Sequence, residues 1–239
     1  MNLLNILNKN KTHTMDTSIY KNKKSKIYFS GLRRDIINLI DKGDNRILEV
    51  GCAKGNTGYA LKKEGYAKEV IGIELMQEAT KEAEKKLDRA IYGNIETITL
   101  DFEENYFDYI IAGDVLEHLY DPWKTIQKLK PFLKEDGFFI ASIPTIRNFK
   151  ILFNLILKGE WNYVDAGILD KTHMRFFTKK TTVKMFAENG FEIVEIVPNY
   201  DIITYLIPGK HINGKLINRL TFMLFEEFLT IKYIIKAKK

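Results

Sequence analysis

The chain has 239 residues, 45% of them hydrophobic and 12% aromatic, with only 5 prolines. That is enough apolar material for one α/β core, and it excludes disordered, collagenous and low-complexity classes. One cysteine, Cys52, cannot form an internal disulfide, and no apolar stretch follows a basic start, so a cytoplasmic location is expected.

The net charge of +6 is unevenly spread. Residues 1–34 hold eight Lys/Arg and one acid, residues 209–239 hold seven and two, and the middle holds 22 bases against 28 acids. The bulk figure invites a nucleic acid or a membrane as partner, but the excess sits on an arm and a tail. Solvated termini are the plain reading, and peripheral contact with an anionic membrane or substrate carrier is the alternative. No window reaches the roughly 18 apolar residues of a transmembrane helix. The nearest, 216–235, is interrupted by Arg219, Glu226, Glu227 and Lys232, and reads as a packed helix and strand.

Residues 1–25 are rich in Asn, Lys and Thr without period and read as a flexible basic arm. The rest, 26–239, reads as a single domain. Leu32, Ile36, Ile37 and Ile40 recur at helical spacing. A strand over 46–50, a glycine loop and a helix over 56–63 follow. Next come a strand over 69–74, a helix over 76–87, a weak strand over 90–92 and a strong one over 107–112. A proline-started helix over 122–133 and a strand over 137–143 complete the alternation. That rhythm predicts a mostly parallel sheet with helices on both faces. The rhythm breaks after Pro144. A helix over 147–157 and a polar, aromatic stretch suggest a substrate-covering insertion at 145–178. A capped helix over 178–190, a strand over 191–197, a second insertion at 200–228 and a strand over 229–235 end the chain.

In an open parallel sheet, ligands bind beyond the carboxyl ends of the strands, where strand order reverses. There the sequence reads EVGCAKGNTG at 49–58, with Glu74 ending the second strand. Gly51 and Gly55 let the backbone turn tightly and approach a ligand. Glu74, an acceptor-only carboxylate 19 residues beyond Gly55, can take both hydroxyls of a ribose. A dinucleotide site would need a second glycine where Ala53 stands, and Glu49 would repel its pyrophosphate. S-adenosylmethionine carries a sulfonium and an ammonium but no phosphate, so Glu49, Glu74, Asp114 and Glu117 would favour it.

The ordered set ILEVGCAKGNTG, IGIE, GNIE, FDYIIAGDVLEHL and GFFIASIP resembles the class I S-adenosylmethionine-dependent methyltransferases over residues 28–199. The resemblance implies a Rossmann-like fold: a seven-stranded, mostly parallel sheet with one antiparallel strand, the last strand hairpinned on the one over 191–197. It also implies that Glu49, Gly51 and Gly55 line the methionine end of the cofactor, with Cys52 and Ala53 in the same loop. Glu74 and Leu75 would lie at the ribose, Asn94 and Ile95 at the adenine, and Asp114 and Val115 beside the cofactor, with S-adenosylhomocysteine as product. Ala53, where the family often has glycine, narrows the loop by a methyl group. The stretch GEWNYVDAGILDKTHMRFFT is similar to a subgroup associated with bacterial surface-polysaccharide and glycosyl-transfer pathways, which suggests a saccharide acceptor by analogy.

Methyl transfer needs mainly orientation and desolvation, and a base assists when the acceptor is a hydroxyl. His118 and His173 are the candidates, and each also has a structural reading, as a packing or a hydrogen-bonding residue. Trp161 and Tyr163 could wall an acceptor, Phe176 and Phe177 could do so or belong to the core, and Asp170 is a polar contact. Arg175 either pairs with an acidic acceptor group or with Asp170. Asp165, Asp170 and His173 match no standard metal-ligand spacing, so no metal is expected. Cys52 reads as packing beneath the loop rather than as a nucleophile. No Asn/Asp-Pro-Pro-aromatic string follows the fourth strand, which tilts toward an oxygen acceptor. The reading is thus O-methylation of a small molecule or saccharide. An RNA methyltransferase, or a non-catalytic nucleoside-binding module, is the alternative.

Overall fold

A computed structural model describes residues 31–200, 202–203, 212–213 and 225–239. The expected arm at 1–25 and most of the insertion at 200–228 lie outside them.

Short apolar, largely β-branched runs become the strands, and the central ones are buried on both faces over most of their length. They are β1 (Asn45–Val50), β2 (Ala67–Glu74), β3 (Arg89–Tyr92), β4 (Phe107–Gly113), β5 (Leu133–Pro144), β6 (Glu192–Tyr200) and β7 (Thr230–Lys238). They form one seven-stranded sheet in the order β3-β2-β1-β4-β5-β7-β6. All neighbours are parallel except β7, which runs antiparallel to both β5 and β6. The fold is therefore the expected Rossmann-like one.

Adjacent residues of a strand point to opposite faces, and the two cores show it. Leu48, Ile71, Ile110, Phe139 and Ile235 feed one, while Ile47, Val70, Ile111, Ile140 and Ile234 feed the other. Helices α1 (Arg34–Ile37), α2 (Asn56–Lys63) and α3 (Gln77–Ala83) cover the second face through Ile36, Leu61 and Ala83. Helices α4 (Pro122–Leu129) and α6 (Lys179–Glu188) cover the first through Ile126, Leu129, Met185 and Phe186. Helix α5 (Phe149–Phe153), continued by a π-turn over Asn154–Lys158, lies within the covering insertion.

Several boundaries differ from the sequence reading for local reasons. Helix α4 stops at Leu129 rather than at residue 133: Pro131 donates no amide to the helix ladder, and the chain tightens into a 3₁₀ turn over Lys130–Phe132. Helix α3 ends early, and Leu87 packs inward, where a Cβ on Gly58 or Gly72 would meet its side chain at 2.5 and 2.7 Å. Thr178 caps α6 through a reciprocal pair with Thr181.

The basic residues of the two ends that the structure describes are mostly paired. Lys232 sits 2.9 Å from Asp114, Lys236 3.5 Å from Asp41 and Lys239 2.8 Å from Glu135. At the other end Arg33 pairs with Asp35 and Asp114, and Arg34 with Glu64, at 2.5–2.8 Å. Five of the fifteen bases counted in the two ends are thus paired, while nine of the others lie outside the described residues.

Candidate active site

Strand order reverses between β1 and β4, and the loop after β1 opens the site. Three of its residues are left-handed: Gly51 at φ 71°, Ala53 at φ 48° and Gly55 at φ 71°. A Cβ on Gly51 would come within 2.5 Å of Val115 Cγ2, so only glycine fits there. Glu74 braces the loop from the end of β2. One of its oxygens accepts the Ala53 amide and the other the Met76 amide, both at 2.8 Å. Cys52 is buried beneath the loop. Burial first, then the charges of Glu49 and Glu74, push its thiol far up, which makes it inert as a nucleophile.

Glu49 is buried at the end of β1, and its Oε2 meets no donor among the described residues. Burial, with Glu74 adding to it, raises its carboxyl to about 8 against the opposing pull of the Gly58 amide and Arg33. Asp114 ends differently. Its Oδ2 takes Arg33 at 2.8 Å and Lys232 at 2.9 Å, while Ser142 Oγ donates to Oδ1. Burial alone would raise this carboxyl, but the two cations outweigh it and hold the group below the usual range. Asp114, one of the four acids expected to favour a sulfonium, is therefore already paired with two cations.

The single turn Leu116–His118 follows β4. Its Glu117 carbonyl accepts the amides of Met174 and Arg175 at 2.8 and 3.0 Å, and His118 Nδ1 donates to the Thr172 carbonyl at 3.1 Å. The covering insertion is thereby stitched across the strand ends. It brings the His173 ring to 4.7 Å from the His118 ring, at 74°. Glu117 is buried, and burial followed by the Asp114 charge pushes its carboxyl well above the ordinary value.

These groups enclose a cavity of about 390 Å³, within the range of small-ligand sites. Glu49, Gly51, Cys52, Ala53, Glu74, Leu75, Asn94, Ile95, Asp114 and Val115 all line it, as do His118, Asp170 and His173. Gly55 does not, because it stands behind the wall, where a Cβ would meet Ala83 Cα at 3.1 Å. Trp161 and Tyr163 also lie off the wall and pack on Phe176 at 5.3 and 6.3 Å. Arg175 pairs with neither Asp170 nor the cavity, donating instead to the Tyr120 carbonyl. Asp170 holds the turn of the cover, accepting from the Thr172 amide and hydroxyl at 2.8 and 2.7 Å. Sequence reasoning missed Arg33 and Lys232. Lys232 had one visible signal, as the charge that interrupts an otherwise apolar strand.

S-adenosylmethionine fits these walls. A buried carboxyl oxygen of Glu49 lacks a donor among the described residues, and Gly51 brings its backbone to the cavity wall. Glu74 presents carboxylate oxygens at the cavity, and no described feature builds a phosphate cradle.

A family model described as a methyltransferase domain matches residues 25–196. The demethylmenaquinone methyltransferase of Geobacillus kaustophilus is 26% identical over 194 residues, covering 74% of this chain and 81% of that protein. The one from Staphylococcus saprophyticus is 30% identical over 178 residues, covering 65% and 73%. Among solved structures, an S-adenosylmethionine-dependent methyltransferase from Archaeoglobus fulgidus superposes with a TM-score of 0.63 at 21% identity, covering 89% of this chain and 93% of that one.

Proposed function

The chain belongs to the methyltransferase domain family, and on that premise we propose that it methylates an oxygen of a small polar acceptor from S-adenosylmethionine, a saccharide precursor being the favoured class. The observation that carries this reading is the division of one cavity between two chemistries. Glu49 and Glu74 stand on the β1–β2 side, and His118 and His173 stand under the cover.

When bound, the cofactor supplies a methyl group on a sulfonium, whose sulfur leaves as a neutral thioether. The residues of the chain do the remaining work. Glu74 would hold the ribose hydroxyls, Asn94 and Ile95 the adenine, and Glu49 the cationic methionine end. Val115 against Gly51 shapes the passage to the acceptor. The cover excludes water and places the imidazoles where an acceptor hydroxyl would lose its proton, a contribution of about 10²- to 10⁴-fold.

A second reading follows the two relatives named above and takes a demethylmenaquinone-like acceptor. It is favoured by exposed Phe149, Phe153, Ile156 and Leu157 on the covering insertion, flanked by Lys150 and Lys158, which would suit an acceptor held at a lipid surface. The test is an acceptor panel with methyl-labelled cofactor that holds saccharide precursors, quinol-type rings and RNA. Label on a sugar oxygen supports the first reading, label on a ring the second. Cofactor binding without transfer to any acceptor would favour a nucleoside-binding module.

A further inference from the structure

Three side chains with metal-ligating atoms meet under the cover, and methyl transfer does not require all of them. Glu117, His118 and His173 each offer one donor atom, and these atoms lie within 4.8 Å of one another. Glu117 is 1% exposed, and neither of its carboxylate oxygens meets a hydrogen-bond donor among the described residues. Leaving such a group without a donor is destabilising, and more so if it is ionised. A purely structural Glu117 would recruit a backbone amide. Instead it faces His173 Nε2 at 3.9 Å, beyond hydrogen-bond range.

The two imidazoles are set from behind. His118 Nδ1 lies 3.1 Å from the Thr172 carbonyl, and His173 Nδ1 lies 2.9 Å from the Ile168 carbonyl. A carbonyl oxygen only accepts, so both Nδ1 atoms carry the proton and each ring's lone pair is on Nε2. Outer-shell carbonyls fix metal-binding histidines in this tautomer.

We propose that Glu117, His118 and His173 bind one divalent first-row transition cation on the acceptor side of the cavity, leaving coordination positions open to the acceptor. Two imidazoles and one carboxylate suit Mn²⁺, Fe²⁺, Co²⁺ or Zn²⁺ better than Mg²⁺ or Ca²⁺. Such ions hold their ligands at roughly 2.0–2.2 Å, and side-chain rotation toward a common centre closes the present spacing. The role of the ion rests on the methyltransferase reading: with both Nε2 lone pairs on the ion, the imidazoles would act as ligands in place of the base role. The ion would hold the acceptor oxygen and acidify its hydroxyl for loss of the proton to water. The site differs from the Asp165, Asp170 and His173 set considered in the sequence. Asp165 is exposed and paired with Lys171 at 3.1 Å, and Asp170 is engaged with Thr172.

Calorimetric titration of Mn²⁺ and Zn²⁺ into the chelator-stripped full chain, without S-adenosylmethionine, tests the site independently of turnover, with Mg²⁺ as the control ion. One ion per chain is expected, bound at least about tenfold more weakly by His173→Ala and Glu117→Gln. The thermal midpoint is followed in parallel, because Glu117→Gln acts in a packed region. Mn²⁺ should raise it for the native chain and not for His173→Ala, whose change lies in the cover and outside the sheet. A stoichiometric site unaltered by His173→Ala, or no saturable binding to the native chain, overturns the proposal. Metal binding with no acceptor methylated supports the site and counts against the methyl-transfer reading instead.

Discussion

On the β1–β2 side of the cavity, the groups that shape the wall fall mostly within residues 49–74, and the hydrogen bonds that tie the loop to β2, Gly51 to Ile73 and Ala53 to Glu74, span 22 and 21 residues. Under the cover, His118 meets Thr172 across 54 residues, and Asp114 meets Lys232 across 118. The first wall is a strand, a turn and a strand, so its geometry is nearly local. The second exists only once the covering insertion docks and β7 inserts between β5 and β6. A local wall can bind a ligand common to many relatives, whereas a wall assembled from distant segments can vary its partner without disturbing the sheet.

If the two walls are functionally separate, His173→Ala should break one and spare the other. We expect turnover to fall by about 10²- to 10⁴-fold, the span of a lost acid–base contribution, with the calorimetric affinity for S-adenosylmethionine unchanged. Equal loss of both would merge the two walls into one cooperative unit.

The converse test is Glu74→Ala. It removes the acceptor for the Ala53 and Met76 amides as well as the proposed ribose contact. Hydrogen bonds to a charged group contribute about 1.5–3 kcal/mol each, so cofactor affinity should fall by about 10²-fold or more. An affinity within threefold of the native value would remove Glu74 from the cofactor wall.

The same division governs what was legible in the sequence. Glycines, an acid at a fixed offset and short apolar runs are local signals that located β1, β2 and β4, and with the family resemblance they gave ten residues of the cavity wall. Boundaries slipped where a proline or an inward-packing leucine intervened, as at Pro131 and Leu87, and β5, β6 and β7 run past the residues expected of them. The cover was less readable because its composition does not say which way a side chain points. Trp161 and Arg175 have the chemistry of acceptor contacts, yet they pack on Phe176 and Tyr120. Arg33 and Lys232 were counted with a basic arm and tail, since nothing local reveals that both converge on Asp114. Glu117 was visible as an acid, but its position beside two imidazoles depends on a contact made more than fifty residues away.

The β1–β2 wall also makes a pH prediction. Glu49 folds with a carboxyl raised to about 8 from an ordinary 4.5. An acid raised on folding contributes stability that is fully present below its unfolded value and is lost as pH rises through its folded one. The cofactor-free chain should therefore lose thermal stability between about pH 5 and pH 8 through this group. Glu49→Gln should match the native chain near pH 5 and exceed it above pH 8 by several degrees, on the order of 5 °C. Parallel melting curves across that range would show instead that burial of Glu49 does not act on stability.

The smallest expected effect lies at Ala53, which holds φ 48° between two left-handed glycines. A left-handed alanine costs roughly 1–2 kcal/mol relative to glycine, while glycine frees the unfolded chain by about 0.5–1 kcal/mol. Ala53→Gly should therefore stabilise the cofactor-free chain by less than about 1 kcal/mol, read as an increase in the denaturant midpoint at constant slope. Its effect on affinity should be opposite in sign or absent. The alanine narrows the set of loop conformations before a ligand arrives, and the added freedom of glycine must be lost on binding. A variant both more stable and tighter-binding would mean that the loop is strained against its ligand, and that its shape is imposed by Glu74 rather than by its own residues.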